Sequence, residues 1–569
     1  MTSINRNAAI FAMDQNGVVT SGKIDPSLWE LNPYSLGGTR TNHVSLLEIF
    51  DQVYPASDLI IIDMGDTTRV EQNRANCADE MVLWHRKRAL ERNDELLGEL
   101  LQRLDLEHTM IILLSPNPNR EMIARGNFGL SPLIFYHPQN PEGLITSSTT
   151  RRAGLITNMD ILPTIMNFWP DENAISTIGS PITNVKGDHR LSAVHQHLDL
   201  LIKIRSNRSS LHYAFIVLAL LTIIGGFWLY LKKTRKISPY FHIILTSTMM
   251  TPLIILFLRF SGYPGKAGSI FILLAALLLF SVFLNSLLKN PLHRLLFISG
   301  ITTCVISIDC LLGSPLMLYS VLGSDAIAGG RYYGIGNDYM GVLISTSLIF
   351  ILLLMSHFTS LPGYFTAGMP LLFMIFIAMV IGYPHFGANV GGLISALITA
   401  GILFILLTQK KINLKKGAFV LIFSMFFVIL IAKLDAMYSS SPSHAGRAIA
   451  NLVNGGAAVF IAIVRTKLGI LGSTIVNSPW TFVLSATLLM LGFLAWNYHY
   501  KKSELNEMLA SLPDITSNLL KILLIAGIVV FIFNDTGVIA ASFILLYLIS
   551  TLWIVWEHYW LKQQKGGPT

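Results

Sequence analysis

The sequence predicts an α/β extracytoplasmic domain followed by an all-α polytopic membrane domain of about eleven helices. Three observations carry that prediction. Of 569 residues, only 13% are charged and 52% are hydrophobic, with a mean hydropathy of +0.56; soluble domains carry about 25% charged residues. The chain changes character near residue 210, from mixed and polar to long apolar runs. Those runs recur at about the 20 residues that cross about 30 Å of hydrocarbon.

Residues 1–210 form the predicted α/β domain. "DLIIID" (Asp58–Asp63) and "TMIILLS" (Thr109–Ser115) read as buried strands, being short, apolar and partly β-branched. Between them, Ala78–Asp105 spaces its leucines helically and keeps its charges on the remaining face. Strand, long helix, strand predicts a βαβ unit and a parallel sheet. "SPLIFYH" (Ser131–His137) predicts a further strand.

Residues 211–560 form the predicted membrane domain, with 561–569 as a tail. Apolar spans are expected near 213–231, 240–260, 267–288, 294–313, 339–356, 366–383, 387–407, 417–433, 480–498, 519–534 and 537–556. Residues 314–323 and 455–472 are apolar but interrupted, which suits re-entrant or interfacial segments. The basic residues gather in alternate connectors: "KKTRK" (Lys232–Lys236), Lys289 with Arg294, "QKKINLKK" (Gln409–Lys416), Lys501 with Lys502, and the tail. The positive-inside rule places these in the cytoplasm of a multi-pass plasma (inner) membrane protein, with the C-terminus inside and the N-terminal domain extracytoplasmic. The opening "MTSINRNAAIFAMDQNG" has no apolar core long enough for a signal. An extracytoplasmic first domain therefore implies a leading segment before Met1; the alternative is the inverted orientation.

The net charge of +8 thus belongs to membrane connectors. No basic patch is interleaved with base-stacking aromatics, so a lipid bilayer and no nucleic acid is expected as partner. Cys77, Cys304 and Cys310 fall in no CxxC or Cys/His spacing, which predicts neither disulfide framework nor structural zinc, and no cofactor is expected.

The connectors on the other side differ in kind. "GRYYGIGNDYMG" (Gly330–Gly341), "GYPHFGANVGG" (Gly382–Gly392), "LDAMYSSSPSHAGR" (Leu434–Arg447) and "FNDTG" (Phe533–Gly537) combine glycine with Asn, Asp, His, Arg and Tyr. Glycine permits positive φ and close backbone approach. Irregular backbone and ionisable groups at membrane depth usually face a polar interior. The candidate substrate-binding residues are Arg331, Tyr332, Tyr333, Asn337, Asp338, His385, Asn389, Asp435, His444, Arg447, Asn534 and Asp535, with Asp309 as an intramembrane polar group. Arg331 and Arg447 suit bidentate grip on a phosphate or carboxylate. Tyr332, Tyr333 and Tyr339 suit an interfacial belt or stacking on a headgroup. The plain alternatives are turns, boundary tyrosines, and a structural ion pair of Arg331 with Asp338 or Asp309.

One run, "TMIILLSPNPN…GLSPLIFY…LITSSTTRRAGLITNMDILPTIM", resembles the late part of the alkaline phosphatase/sulfatase superfamily, most closely in "TNMDILPTI" (Thr157–Ile165). The resemblance covers about Asp58 to Met166 and implies an α/β fold, in which Asp160 caps a helix and Pro163 occupies its first turn. The family's metal-binding Asp-His is replaced by "SPNPN" (Ser115–Asn119), and "DMGDTTR" (Asp63–Arg69) would sit near the former active-site edge. Without metal ligands, two-metal transfer has no electrostatic basis, so the domain is expected to be a degenerate, non-hydrolytic one. An ectodomain of this kind joined to many spans also resembles ethanolamine-phosphate transferases and bacterial lipid-linked envelope enzymes.

Three functions stay open from the sequence. The first is transport or binding of an anionic substrate, lipid-linked or free, in a polar cavity on the outer side. The second is an envelope transferase using a lipid-phosphate donor, with His444 or His385 as general base. The third is a non-catalytic scaffold.

Overall fold

The computed structural model describes the chain except residues 1, 6, 15, 20, 128, 141, 169–177, 187–189, 233–237, 359–362, 410–412, 439–443, 501–503 and 565–569, and except the side chains of 190, 363–364, 409, 432, 434–438, 444–460 and 564. The chain divides into two compact units, Met1–Ile123 with Ser131–Pro141, and Ala124–Leu130 with Glu142–Thr569.

In the first unit β1 (Thr2–Ile4) lies between β2 (Gly22–Lys23) and β5 (Ile60–Ile62), and both pairings are parallel. β3 (Trp29–Leu31) and β4 (Thr39–Thr41) form an antiparallel hairpin. The predicted strands occur, as β5, β6 (Ile111–Leu114) and β7 (Leu133–Tyr136), and so does the helix, over Asp79–Leu101. The predicted parallel βαβ pairing does not: β6 pairs antiparallel with β7, and β5 pairs with β1. Helix Asp79–Leu101 buries Val82, Ala89, Leu96 and Leu100, spaced by sevens and a four along one stripe. Leu96 and Leu100 join Ile4, Leu28, Leu46 and Phe50 in the core. Helix His43–Val53 supplies the last two, and Asn42 starts it by accepting from the Ser45 amide at 3.1 Å.

The second unit opens with an antiparallel pair, β8 (Leu144–Ser147) and β9 (Ile182–Val185). The helix predicted at "TNMDILPTI" is present as a 3-10 turn, Asn158–Asp160, running into helix Ile161–Phe168. Its cap is Thr157 rather than Asp160; the two form a capping box in which Asp160 reaches back to the Thr157 amide. The box forms because Asp160 has donors on every side: the Ser147, Thr149 and Thr157 hydroxyls and the Thr157 and Ser180 amides.

Among the described residues, eleven helices long and apolar enough to cross a membrane follow, and each coincides with an expected span. They are, in order, Leu191–Leu231, Pro239–Ser261, Lys266–Leu287, Pro291–Leu311, Asn337–Met355, Phe365–Gly382, Val390–Thr408, Leu414–Ile431, Trp480–Tyr500, Asp514–Phe533 and Gly537–Gln563. The first continues beyond hydrocarbon length: Arg190–Leu231 is 42 residues, about 63 Å at about 1.5 Å per residue. Residues 455–472 lie inside a continuous helix, His444–Asn477, and 314–323 form turns around Met317–Tyr319. Spans five and eleven are the most enclosed, at 83% and 94% buried, against 28% for span three. They pack closely because position 341 is glycine; a Cβ there would stand 2.7 Å from the Ala540 carbonyl oxygen.

Candidate functional site

The connectors after spans four, six and ten meet at one end of the bundle. There they hydrogen-bond into one polar node. The Ile335 amide donates to the Gly387 carbonyl at 2.8 Å. Asn389 Nδ2 donates to the Ile335 carbonyl at 3.2 Å and to Asn337 Oδ1 at 3.0 Å. Asn337 Nδ2 donates onward to Asp535 Oδ1 at 3.2 Å and to the Thr536 hydroxyl. Asn534 Nδ2 reaches Ser395 Oγ at 3.1 Å, tying the end of span ten to span seven. Each polar residue does local work as well. Asn389 caps span seven through the Gly392 amide at 2.9 Å, and Asp535 accepts from the Thr536 amide at the start of span eleven. The glycines permit the approach: Gly334 has φ +75°, and a Cβ on it would strike the Gly387 carbonyl, while one on Gly391 would lie 2.5 Å from Asn534 Oδ1.

The node therefore stands where spans five, seven and eleven all begin, and helix N-termini favour negative charge. Arg331 lies beside it. Its Nη1 points to the carbonyls of Gly387 and Ala388 at 3.5 and 3.4 Å. It makes neither of the ion pairs considered from sequence; Asp535 is the acid that influences it, from beyond ion-pair distance. Burial pulls the Arg331 guanidinium below its ordinary pKa, and Asp535 partly restores it.

The other candidates fall elsewhere. Tyr333 carries the Arg151 guanidinium 4.2 Å above its ring, and the Tyr332 carbonyl accepts from Arg152 Nε at 2.6 Å. Burial raises the Tyr332 phenol, with Asp160 adding to it. Tyr339 is not part of an interfacial belt; it is fully buried, its hydroxyl 2.7 Å from Ser320 Oγ. Asp338 turns away from Asn337, and its Oδ1 is buried without a hydrogen-bond partner. Asp309 does not face an open polar interior: it braces the next turn, accepting from the Leu316 and Met317 amides at 2.7 and 3.0 Å. His385 is exposed, its ring 5.7 Å from that of Tyr383. The side chains of Asp435, His444 and Arg447 lie outside the described residues. In the first unit, Asp63 and Asp66 bind their own scaffold. Asp63 accepts from the Asn7 amide group at 2.9 Å, and buried Asp66 from the Thr41 amide at 2.8 Å and from Arg69 at 2.5 Å.

The described residues of the node are hydrogen-bonded to one another. An open hollow of about 390 Å³ lies at spans four and five, lined by His293 and by apolar side chains such as Phe297, Ile301 and Phe350. At the opposite end of the bundle, Glu557 of span eleven meets Arg294 of span four at 3.4 Å and His242 of span two at 3.0 Å. The sequence reading missed that cluster. Its signal is a lone acid within "WIVWEHYW". It also missed Arg151 and Arg152: Arg151 donates to the Pro384 carbonyl at 2.7 Å, so both arginines serve the connectors of the bundle.

No family model, curated protein or solved structure matches this chain.

Proposed function

We propose that this chain is an integral membrane protein of a bacterial envelope that binds and moves an anionic substrate, lipid-linked or free, at the polar node. One observation carries the reading. Arg331 is held by backbone carbonyls, not by a carboxylate within ion-pair distance among the described residues, so its charge is left for a ligand at the meeting of three helix starts. Asn337, Asn389 and Asp535 set the backbone around it. The positive-inside rule puts the lysine-rich connectors in the cytoplasm and the node outside. The N-terminal domain, residues 1–210, is read as a hydrolase-like α/β domain without metal ligands, serving as a lid or docking platform; "SPNPN" in place of an Asp-His pair supports this.

The test compares wild type with Arg331→Ala for uptake of a labelled polyprenyl phosphate into sealed vesicles and for its conversion in detergent. Arg331-dependent uptake without conversion is expected. Conversion in detergent would assign a transferase. Unchanged uptake and binding in Arg331→Ala would overturn the reading. A scaffold is the second reading, favoured by the internal hydrogen bonding of the node. It requires that Arg331 and Asp535 variants lose stability and nothing ligand-specific.

A further inference from the structure

A second group of charged and polar side chains gathers at the connector between spans four and five, and the node does not use it. Arg152 follows β8 and is 4% exposed. Its Nε donates to the Tyr332 carbonyl at 2.6 Å and its Nη2 to the Leu318 carbonyl at 3.3 Å. Its Nη1 is buried and has no hydrogen-bond partner. No carboxylate stands within ion-pair distance of it among the described residues. A buried guanidinium with a free donor and no counter-ion is costly, and such groups in native structures call for an explanation.

The surroundings of Arg152 are basic and rigid. Its guanidinium lies 5.8 Å from the ring of Tyr319, and that of Arg259 lies 4.6 Å from the same ring. The Tyr319 hydroxyl is 3.3 Å from Nε2 of His197, on the long first helix. Four groups from four segments thus converge on one short turn: two permanent cations, an imidazole and a phenol. The turn is pinned at every step. Arg259 holds the Pro315 carbonyl at 2.5 Å, Asp309 holds the Leu316 and Met317 amides, and Tyr263 holds the Tyr319 carbonyl at 2.9 Å. Two acids influence the cluster from its edges. Asp309 acts on Arg259, and Asp160 acts on Tyr332 while its own oxygens are filled by hydroxyls and amides. Neither reaches Arg152.

We propose that Arg152, Tyr319, His197 and Arg259 form a binding subsite for a phosphate group. A phosphomonoester presents three oxygens and up to two negative charges, which matches donors arriving from several directions and two guanidiniums; a planar carboxylate would use only one edge of the set. Asp309 is then a positioning residue, fixing the turn that carries Tyr319. The subsite deepens the reading of this end of the bundle as the ligand-facing end, but it does not depend on Arg331. The competing account makes Arg152 a strut that merely ties Leu318 to Tyr332.

The experiment uses the full chain in nanodiscs at fixed ionic strength. One arm titrates inorganic phosphate against chloride; the other titrates phosphatidic acid against phosphatidylcholine. Both follow thermal stabilisation and direct binding, in wild type, Arg152→Gln and Tyr319→Phe. The glutamine variant keeps a donor toward the carbonyls, and the phenylalanine variant leaves all the Arg152 bonds in place. Loss of one charge-assisted contact is expected to weaken phosphate binding by about tenfold or more in Arg152→Gln, with a smaller loss in Tyr319→Phe. Response to both probes assigns the phosphate itself; response to phosphatidic acid alone assigns a lipid headgroup. Absence of binding in wild type, or equal binding in all three proteins, overturns the proposal, and a lower melting temperature in Arg152→Gln with unchanged affinity identifies the strut. Arg331-dependent uptake that survives such a failure would leave the earlier reading standing, and the reverse outcome would remove that reading alone.

Discussion

Asn389→Asp separates the two jobs of one buried side chain. Asn389 is 3% exposed. Its Oδ1 caps span seven through the Gly392 amide, and aspartate caps equally well, so this contact survives. Its Nδ2 donates to the Ile335 carbonyl and to Asn337 Oδ1, and aspartate has no such donor. Asn337 then stands between two carboxylates, at 389 and at Asp535. Its single amide group can satisfy only one of them, and turning the amide to serve position 389 leaves its oxygen facing Asp535. One hydrogen bond to a charged group and the donor to a buried carbonyl are lost. At about 1.5–3 and about 1–3 kcal/mol respectively, the expected loss is about 2.5–6 kcal/mol. Asn389→Ala removes the cap as well, which costs about 1 kcal/mol but introduces no charge; aspartate should therefore be at least as damaging as alanine. Equilibrium unfolding in mixed detergent micelles measures both. A loss below about 0.5 kcal/mol for Asn389→Asp, the range of ordinary surface changes, would refute the directed chain of amides from Asn389 to Asp535.

Two further outcomes follow from buried charge. Glu557→Gln removes the one anion between Arg294 and His242 and should cost about 3–5 kcal/mol, since a buried cation is left behind. Adding Arg294→Met should recover part of that loss, and strictly additive losses in the double-variant cycle would show that the two do not interact. In the first unit, burial, reinforced by Arg92, pulls His43 below its usual value, against the opposing pull of Asp66, Glu95 and Glu99. The unfolded chain therefore takes up a proton that the folded unit resists. Stability is held above the ordinary histidine pKa and declines as pH falls through it, until the folded-state pKa is reached. Hydrogen-exchange protection of helix His43–Val53 should thus drop between about pH 7.5 and about pH 5.5, and His43→Gln should flatten the slope. An equal slope in both proteins would assign it to another group.

Legibility in this chain follows the range of each signal. A membrane span is written in about 20 adjacent residues, so all eleven could be marked without knowing any contact. Strands β5, β6 and β7 were visible for the same reason, as local apolar runs. Their pairing was not, because pairing is decided between segments: β5 chose β1, nearly 60 residues earlier in sequence, over the strand beyond its helix. The amide-rich connectors were visible as composition. That Asn337 pairs with Asp535, 198 residues away, while its neighbour Asp338 turns elsewhere was not. A helix start rotates successive side chains by about 100°, so two adjacent polar residues that read as one motif face different partners.

Arg152 marks where local reading stops. It sits in "STTRRAG", a stretch with the composition of a soluble loop, and the hydrogen-bond partners of its guanidinium are 166 and 180 residues away. Nothing nearby in sequence separates it from a solvated arginine. What separates them is the set of partners. A surface arginine exchanges water for water, whereas this one is enclosed, bonded on two of its nitrogens to carbonyls of the bundle connector, and left with a third that meets nothing. Asp160 shows the opposite outcome of the same enclosure: every side of its carboxylate is met by a donor, so its burial is explained by the capping box and the hydroxyls of β8 and the turn beyond it. Two buried ions eight residues apart therefore carry different information. The satisfied one accounts for a fold, and the unsatisfied one meets no counter-charge among the described residues.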